Sequence, residues 1–317
     1  MTEIQSYATA NRACSLIYSY IKTYNQGKWL IPVNVCPDVP LTFCLAGVDF
    51  EFIDINQHTL LIDEEECLSK LKQNADSYAG IVLVRTYGYL SNTSQFIEEC
   101  KMLNLSLKII DDRCLCMPER NPKMYSSDMV LYSTGHCKQI DLGGGGLAYY
   151  NKKESYYPDP HLEYSGTDEE ALYKAAFTEN RILNPIPKGW LKVDDYIDYA
   201  TYMSRIEQEI EKRNNHRNEI NAIYRETLPT EIQFPDEYNM WRFNIQVPSN
   251  LKDTILNKLF NNNLFASNHY HSANLLFDRK TYPNSDKLFA SIINLFNDNH
   301  YMIDQAIKTA NIINSCI

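Results

Sequence analysis

The chain has 317 residues, 44% of them hydrophobic, a length that suits one large domain with a smaller one attached. Its net charge is −10, so the basic field that binding to nucleic acid or to an anionic membrane requires is missing, and small molecules or other proteins are the expected partners. No apolar run reaches the roughly 18 residues of a membrane span, and the first residues lack a signal-peptide pattern, so we expect a cytoplasmic protein.

The first half of the chain alternates helical patterns with short apolar runs. Helical periodicity predicts helices at 12–24, 64–73 and 92–104. Strands are predicted at 28–35, 49–55, 79–88 (ending in a glycine turn), 105–112, 128–133 and 146–151. Strands that alternate with helices imply right-handed crossovers and a mostly parallel sheet with helices on both faces, which is a three-layer α/β/α domain.

The second half reads differently. The segment 151–190 is rich in proline, tyrosine and charge, and we interpret it as the boundary between a large domain at 1–160 and a smaller domain at 161–317. The smaller domain includes a long connecting helix predicted at 194–228. A strand at 240–247 and helices at 250–262 and 301–314 complete it and make it α+β.

Polar residues gather at the predicted carboxyl ends of the strands. Asp111 and Asp112 end one strand, Ser133 ends the next, and residues 11–13 open the first helix. Ligands of mostly parallel sheets bind outside the carboxyl ends of the strands. The sequence therefore predicts one site at this edge of the sheet.

Lys138 precedes four consecutive glycines, 143–146, in a chain with only 11 glycines. A lysine at a strand end is usually a solvated surface side chain, and glycines ahead of a strand can simply form a bulge or a tight turn. The order excludes a Walker phosphate loop, whose glycines precede the lysine, and a Rossmann fingerprint, whose glycines lead into a helix. Glycines that let the backbone approach a ligand closely are the functional alternative.

Asp112 and the cysteines also have two interpretations each. Adjacent carboxylates at a strand end could form a turn or a helix cap, but a fixed carboxylate there could also keep a cationic ring nitrogen protonated. The nine cysteines contain no C-x-x-C pair and are odd in number, so we interpret them as reduced thiols. Cys114, Cys116 and Cys137 lack convincing ligand spacing, and no metal site is predicted.

Two motifs in the first half are informative together. The run from Ser133 to Gly146, STGHCKQIDLGGGG, matches S-F-x-x-[ST]-K-x-x-x-x-G-E-G-G at the serine, the lysine and three glycines, and KIIDDRCL matches V-I-E-D-A-A-[QH] with Asp112 as the second acidic residue. The chain thereby resembles the DegT/DnrJ/StrS family of pyridoxal-phosphate (PLP) enzymes, sugar aminotransferases of fold type I. Three further segments extend the resemblance: VRTYGYLSNTSQFIEECKMLNLSLKIIDD, which resembles the family's strand, turn, helix and strand leading to that aspartate; TANRACSLI, at the family's phosphate turn; and KRNNHRNEINAIY, in the smaller domain.

The resemblance implies a PLP-dependent aminotransferase that acts as a homodimer. It would transfer an amino group from an amino acid, with glutamate as the expected donor, to a keto sugar that is expected to be nucleotide-linked. The pathway would be the biosynthesis of surface-polysaccharide sugars, such as those of lipopolysaccharide or O-antigen, or of secondary-metabolite sugars.

The resemblance also implies roles for individual residues. Lys138 would hold PLP covalently and move a proton at the reacting carbon, and Asp112 would pair with the ring nitrogen. The phosphate would be bound by the start of the first helix and one hydroxyl: Asn11, Arg12, Ala13 and Ser133. His269 and His271 resemble the family's histidine segment near the substrate mouth, although a surface loop is an equally weighted interpretation.

The chain departs from the family pattern at several positions. The family has many more residues before the phosphate turn, its N-x-R segment is not found here, Leu115 replaces glutamine or histidine, and Gly144 replaces glutamate. The alternative is therefore a catalytically degenerate or non-catalytic member that acts as a binding or scaffold protein.

Overall fold

The computed structural model describes residues 5–151, 169–183 and 198–317. Within these ranges the large sheet has seven strands: β1 (Gln5–Ala10), β2 (Lys28–Pro32), β3 (Phe50–Ile53), β4 (Tyr78–Val84), β5 (Lys108–Asp112), β6 (Met129–Ser133) and β7 (Gly146–Asn151). Their spatial order is β1-β7-β6-β5-β4-β2-β3. β7 runs antiparallel to both of its neighbours, whereas the pairs from β6 through β3 are parallel. The prediction of a mostly parallel sheet is confirmed.

Helices cover both faces of this sheet because alternate residues of each strand point to opposite sides. Four helices join the strands: α1 (Ala13–Thr23), α2 (Asp38–Ala46), α3 (Glu64–Asn74) and α4 (Ser94–Leu103). On β4, Val82 packs in the core beneath α1 and α2, while its neighbour Ile81 packs in the core beneath α3 and α4. The predicted three-layer architecture is therefore confirmed.

The remaining elements belong to the second half of the chain. The helices are α5 (Glu169–Thr178), α6 (Tyr199–Thr227), α7 (Ser249–Asn261), α8 (Asn274–Phe277), α9 (Pro283–Ser291) and α10 (Ile303–Asn314). A second sheet has the order β8-β10-β9, from β8 (Phe243–Gln246), β9 (Ala266–Ser267) and β10 (Ile292–Leu295), and both of its pairings are antiparallel. Part of α6, with α7 and α10, packs against it in one core.

The two halves also pack against each other. The first turns of α6 place Met203 and Ile206 on the outer face of β6 and β7. Ala273 and Tyr282 join the core of the large sheet, and the Asp54 carboxylate accepts backbone N–H bonds from residues 284 and 285 at 2.9 and 3.0 Å. These contacts fix the second half across the carboxyl edge of the large sheet.

Several elements were not predicted from the sequence. β1 consists of small and polar residues, and α2 contains Pro40, so neither has a clear periodic pattern. α9 runs directly into β10, and no turn residue in the sequence marks the change from helix to strand. The predicted domain boundary at 151–190 and the first residues of the predicted long helix lie largely outside the described residues. No helix among the described residues is long and apolar enough to cross a membrane.

Candidate active site

A cavity of about 400 Å³ opens at the carboxyl ends of β5 and β6 and at the start of α1. It brings together the site residues that the sequence places far apart: Asn11, Arg12, Ala13, Asp112, Ser133 and Lys138. His269 also lines it, whereas His271 does not and instead packs its ring between Phe177 and Phe289. The edge of the sheet that the strand pattern predicts therefore holds one site.

The two adjacent carboxylates at the end of β5 have different environments. Asp111 is fully buried and accepts hydrogen bonds from Arg85 (Nε at 2.6 Å) and Arg113 (Nη2 at 2.8 Å). Asp112 lines the cavity and accepts a hydrogen bond from the backbone N–H of Cys114 at 2.9 Å. Burial raises the pKa of Asp112, although the Cys114 hydrogen bonds and Lys138 oppose this effect. Asp111 is a structural carboxylate, and Asp112 is the one available to a ligand.

Lys138 lies in the wall of the same cavity. Burial alone would lower its pKa, but Cys114, Cys36 and Asp112 outweigh burial, so the pKa is raised. Burial also raises the pKa of Cys36 to about 12, which leaves that thiol uncharged at neutral pH. Asp112 and the nearby Asp38 are therefore the carboxyl groups that favour the ammonium form of Lys138 in the absence of a ligand.

The loop that carries Lys138 is fixed by contacts from the second half of the chain. Trp241 donates its indole N–H to the carbonyl oxygen of Cys137 at 2.6 Å, and Arg217 donates to the carbonyl oxygen of Gln139 at 3.2 Å. The Gln139 side chain donates to the carbonyl oxygen of Leu115 at 2.8 Å. These bonds hold the backbone on both sides of Lys138 and limit the positions that its amine can reach.

Three of the four consecutive glycines are required by the fold. Gly143 and Gly145 have φ values of +80° and +116°, and a Cβ on Gly145 would clash with Tyr202 and Thr134. A Cβ on Gly146 would lie 2.6 Å from the backbone of Ala13, because β7 passes closely under the start of α1. Gly144 has no positive φ, and its Cβ would meet only the carbonyl oxygen of Asn11 at 3.4 Å. The position at which the family has glutamate is thus the one that has room for a side chain.

The end of the cavity near α1 suits an anion. α1 begins at Ala13 with Arg12 as its N-cap residue, and the first N–H groups of a helix have no acceptor within the helix. Gly145 donates its N–H to the carbonyl oxygen of Asn11 at 2.7 Å, which ties this turn to the glycine loop. The Ser133 hydroxyl lies at the same end, where it accepts the Gly135 N–H at 3.3 Å. A guanidinium, helix N–H groups and a hydroxyl are appropriate donors for a phosphate.

Sequence reasoning missed several side chains of this cavity, among them Asp38 and Trp241. Asp38 begins α2, an unpredicted helix, and lies near Arg12 and Lys138. Burial raises the pKa of Asp38, whereas the two cations and a hydrogen bond from the Tyr173 hydroxyl at 3.3 Å oppose this increase. Trp241 just precedes β8, and its ring packs against the His269 ring with centroids 5.5 Å apart. Enclosure by the cavity walls lowers the pKa of His269 to about 4, and Lys138 adds to this. Long-range packing brings these side chains to the site, and local sequence carries no signal for it.

The cavity fits PLP on the chemistry of its own residues. Asp112 is a buried carboxylate whose cationic partner among the described residues is Lys138, and such a carboxylate matches a protonated ring nitrogen. The enclosed amine of Lys138 matches an aldehyde carbon, and the start of α1 with Ser133 matches a phosphate. These three features lie around one cavity, which is the arrangement that a phosphorylated aldehyde ring requires.

No protein-family model matches the sequence, and no curated protein matches it significantly. The structure, however, has the fold of the PLP-dependent aminotransferases of the DegT/DnrJ/EryC1/StrS type, as the resemblance implied.

Three solved structures illustrate the similarity, and each alignment covers 97–98% of this chain. A DegT/DnrJ/EryC1/StrS aminotransferase from Brucella abortus has a TM-score of 0.69 at 13% identity over 85% of its own chain. DesI, solved in the presence of its TDP-sugar product, has a TM-score of 0.72 at 13% identity over 80% of its chain. NtdA from Bacillus subtilis, solved with bound PMP cofactor, has a TM-score of 0.66 at 16% identity over 73% of its chain. At such low identity the similarity defines the fold.

Proposed function

We propose that this protein is a PLP-dependent aminotransferase that transfers an amino group from an amino acid, glutamate in the first instance, to a keto sugar, in particular a nucleotide-linked one. The observation that carries the proposal is the pairing of Lys138 with Asp112 in one cavity, opposite a phosphate-binding helix start. The fold shared with sugar aminotransferases supports it, and the TDP-sugar product in the DesI structure supports the substrate class.

Each site residue has a role that follows from its position. PLP, when bound, supplies an electron sink that stabilises negative charge at the substrate carbon. The Asp112 carboxylate keeps the ring nitrogen protonated, and the Lys138 amine holds the cofactor and carries the proton to and from the reacting carbon. Arg12, the N–H groups at Asn11–Ala13 and the Ser133 hydroxyl hold the phosphate. His269, neutral at pH 7, offers a hydrogen-bonding nitrogen to the sugar at the opposite wall.

The setting of this reaction is part of the same proposal. We infer a cytoplasmic homodimer that serves the biosynthesis of surface-polysaccharide sugars, such as those of lipopolysaccharide or O-antigen, or of secondary-metabolite sugars. We also infer that residues 1–160 form the cofactor-binding domain and residues 161–317 the smaller one. Size measurement in solution tests the dimer, and limited proteolysis tests the division near residue 160.

An absorbance spectrum tests the central proposal. The purified protein with PLP should show a band near the visible edge that L-glutamate removes. Lys138→Ala should abolish the band and slow amine exchange by about 1,000-fold or more, because both the covalent hold and the proton carrier are lost. Lys72→Ala, on the exposed side of α3, is the control and should leave the spectrum unchanged.

A second candidate is a non-catalytic relative that binds PLP or a sugar nucleotide as a scaffold. The favouring observation is Leu115, which is buried and lines the cavity where the family has a polar side chain. A PLP band that no amino acid removes would support this candidate and exclude aminotransfer. Removal of the band by glutamate would exclude the scaffold.

A further inference from the structure

Two neighbouring guanidinium groups are buried in the second half of the chain. Arg217 lies on α6 and Arg242 just precedes β8, and each residue is 1% exposed. Arg242 donates Nη1 to the Asp298 carboxylate at 2.8 Å. Arg217 donates Nη2 to the carbonyl oxygen of Gln139 at 3.2 Å, and a carbonyl oxygen carries no full charge. Among the described residues, one carboxylate therefore serves two buried cations.

The other charged groups of this region do not supply the missing anion. Arg213, one turn before Arg217 on the same face of α6, has Glu209 as its own partner, with Nε at 2.8 Å. Asp141 is held within its own loop, where it accepts the backbone N–H of Gly143 at 2.8 Å. The positive charge of Arg217 thus has no counter-ion of its own in the described ranges.

Unmet hydrogen-bond donors mark the same place. Nε and Nη1 of Arg217 and Nε of Arg242 are buried and have no hydrogen-bond partner among the described residues. A buried donor without an acceptor costs free energy, and a buried charge without a partner costs more. Burial and the neighbouring Arg242 lower the pKa of Arg217 to about 10, so its guanidinium stays charged at neutral pH. The two side chains therefore favour an acceptor that carries negative charge.

The surroundings favour a small anion with a single charge. One negative charge balances Arg217, whereas a divalent phosphate would add a second one beside Asp298. An exposure of only 1% favours a compact ion over an organic acid. A pocket of about 260 Å³, whose wall includes Asp298 and Asn299, adjoins the pair and offers a route from solvent. The buried Oδ1 of Asn299 has no partner in the described part of the chain, and rotation of this amide would turn N–H donors to an anion.

We propose that Arg217 and Arg242 bind a small monovalent inorganic anion, such as chloride, between α6 and the start of β8. Neither arginine belongs to the described wall of the first cavity, so the site is separate from the proposed cofactor site. The inference does not depend on PLP binding. Because Arg217 also holds the carbonyl oxygen of Gln139, a bound anion would fix the loop that carries Lys138.

Thermal melting of the cofactor-free chain tests the site. At constant ionic strength, replacing sodium gluconate by sodium chloride should raise Tm by about 2 °C or more once chloride exceeds its Kd by about 10-fold, because an ion that binds the folded chain stabilises it. Arg217→Gln should lose this chloride dependence. Arg205→Gln, exposed on the same helix, is the matched control and should keep it. The same wild-type Tm in both salts, or a chloride dependence that survives in Arg217→Gln, would overturn the proposal.

A second measurement uses only the wild-type chain, so it holds even if Arg217→Gln does not fold. Crystals grown with sodium bromide should show an anomalous difference peak within hydrogen-bond reach of the Arg217 guanidinium. A water molecule at this position, or no density there, would overturn the proposal. Backbone hydrogen exchange at 137–140 should be slower in chloride than in gluconate, and equal exchange would refute the effect on the Lys138 loop.

Discussion

The first cavity and the core of the small sheet both bury polar side chains, but they satisfy them differently. In the small sheet, asparagine side chains bond to one another and to the backbone. The side-chain oxygen of Asn244 accepts the side-chain N–H of Asn294 at 2.6 Å, and the side-chain oxygen of Asn294 accepts the backbone N–H of His269 at 2.7 Å. The side-chain oxygen of Asn239 accepts the backbone N–H of Asn244 at 2.8 Å. In the cavity, Asp112 accepts the backbone N–H of Cys114, and no guanidinium of the described ranges pairs with its charge.

The difference separates polar groups that hold the fold from polar groups kept for a ligand. Buried polar groups are normally paired, because an unmet one costs about 1–3 kcal/mol. A network of mutually bonded amides therefore stabilises the small sheet. The Asp112 carboxylate, which no described guanidinium pairs, makes the cavity less stable alone and ready for a positively charged ligand group. Substitutions can test whether this separation holds.

The largest expected effect on stability lies at Asp111, next to the cavity carboxylate. Asp111→Asn should reduce the free energy of unfolding by about 3–5 kcal/mol, because Arg85 and Arg113 would remain buried without their shared counter-charge. Urea unfolding of the cofactor-free chain measures this. The exposed pair of Arg120 with Glu207 is the control, and Glu207→Gln should cause no measurable change. Equal effects at the two positions would contradict the structural role of Asp111.

Asp112→Asn should have the opposite pattern. Amine exchange should fall by about 100-fold or more, because the ring nitrogen loses its anionic partner. The cofactor-free chain should become slightly more stable at pH 7, by about 2–4 °C in Tm, because the cost of burying the charge is removed.

The pH dependence of this stabilisation has a defined sign. Burial raises the pKa of Asp112 above its usual 3.8, so the folded chain holds the proton more tightly than the unfolded chain. Stability is then lost as pH rises from the pKa of Asp112 in the unfolded chain through its higher pKa in the folded chain. The Tm advantage of Asp112→Asn should therefore grow from about pH 4 towards pH 7. Thermal melting across this range measures it, and an advantage that shrinks with rising pH would contradict the assignment.

Asn244→Ala should affect the fold and spare the chemistry. Removal of its amide leaves the Asn294 amide and the Arg242 carbonyl without their partner, at a cost of about 1–3 kcal/mol in the free energy of unfolding. The PLP band should be unaffected. Asn262→Ala, exposed at the end of α7, is the matched control. If Asn244→Ala removed the PLP band without loss of stability, the two regions would not be separable.

The smallest effect is expected at Gly144. Gly144→Ala should change the free energy of unfolding by no more than about 0.5 kcal/mol, because the added Cβ meets no backbone closer than 3.4 Å. Gly145→Ala should be clearly destabilising, since its positive φ and the contact with Tyr202 both disfavour a side chain. Chemical unfolding of the two variants side by side measures the difference, and equal costs would contradict the account of the glycine loop.

Much of the large domain could be predicted from local sequence. Strand and helix patterns from 12 to 151 gave six of the seven strands and three of the helices, because apolar periodicity reports which face is buried. β1 and α2 escaped, since an edge strand of small residues and a helix with an internal proline have no such pattern. Asp112 and Ser133 could be placed at one site because strand ends in parallel sheets converge on one edge, whereas the roles of Lys138 and Asp112 came from the family motifs.

The sequence by itself determined the alternation of strands and helices, the edge at which polar residues collect, and the order of lysine and glycines. The family motif had already assigned the site role to Asp112, and the tertiary structure supplied the physical reason, because Arg85 and Arg113 reach Asp111 and hold it in the interior. Only the tertiary structure decided that Trp241 and His269 close the cavity and that His271 does not line it. Such choices follow from contacts between residues far apart in the chain, which local periodicity does not record.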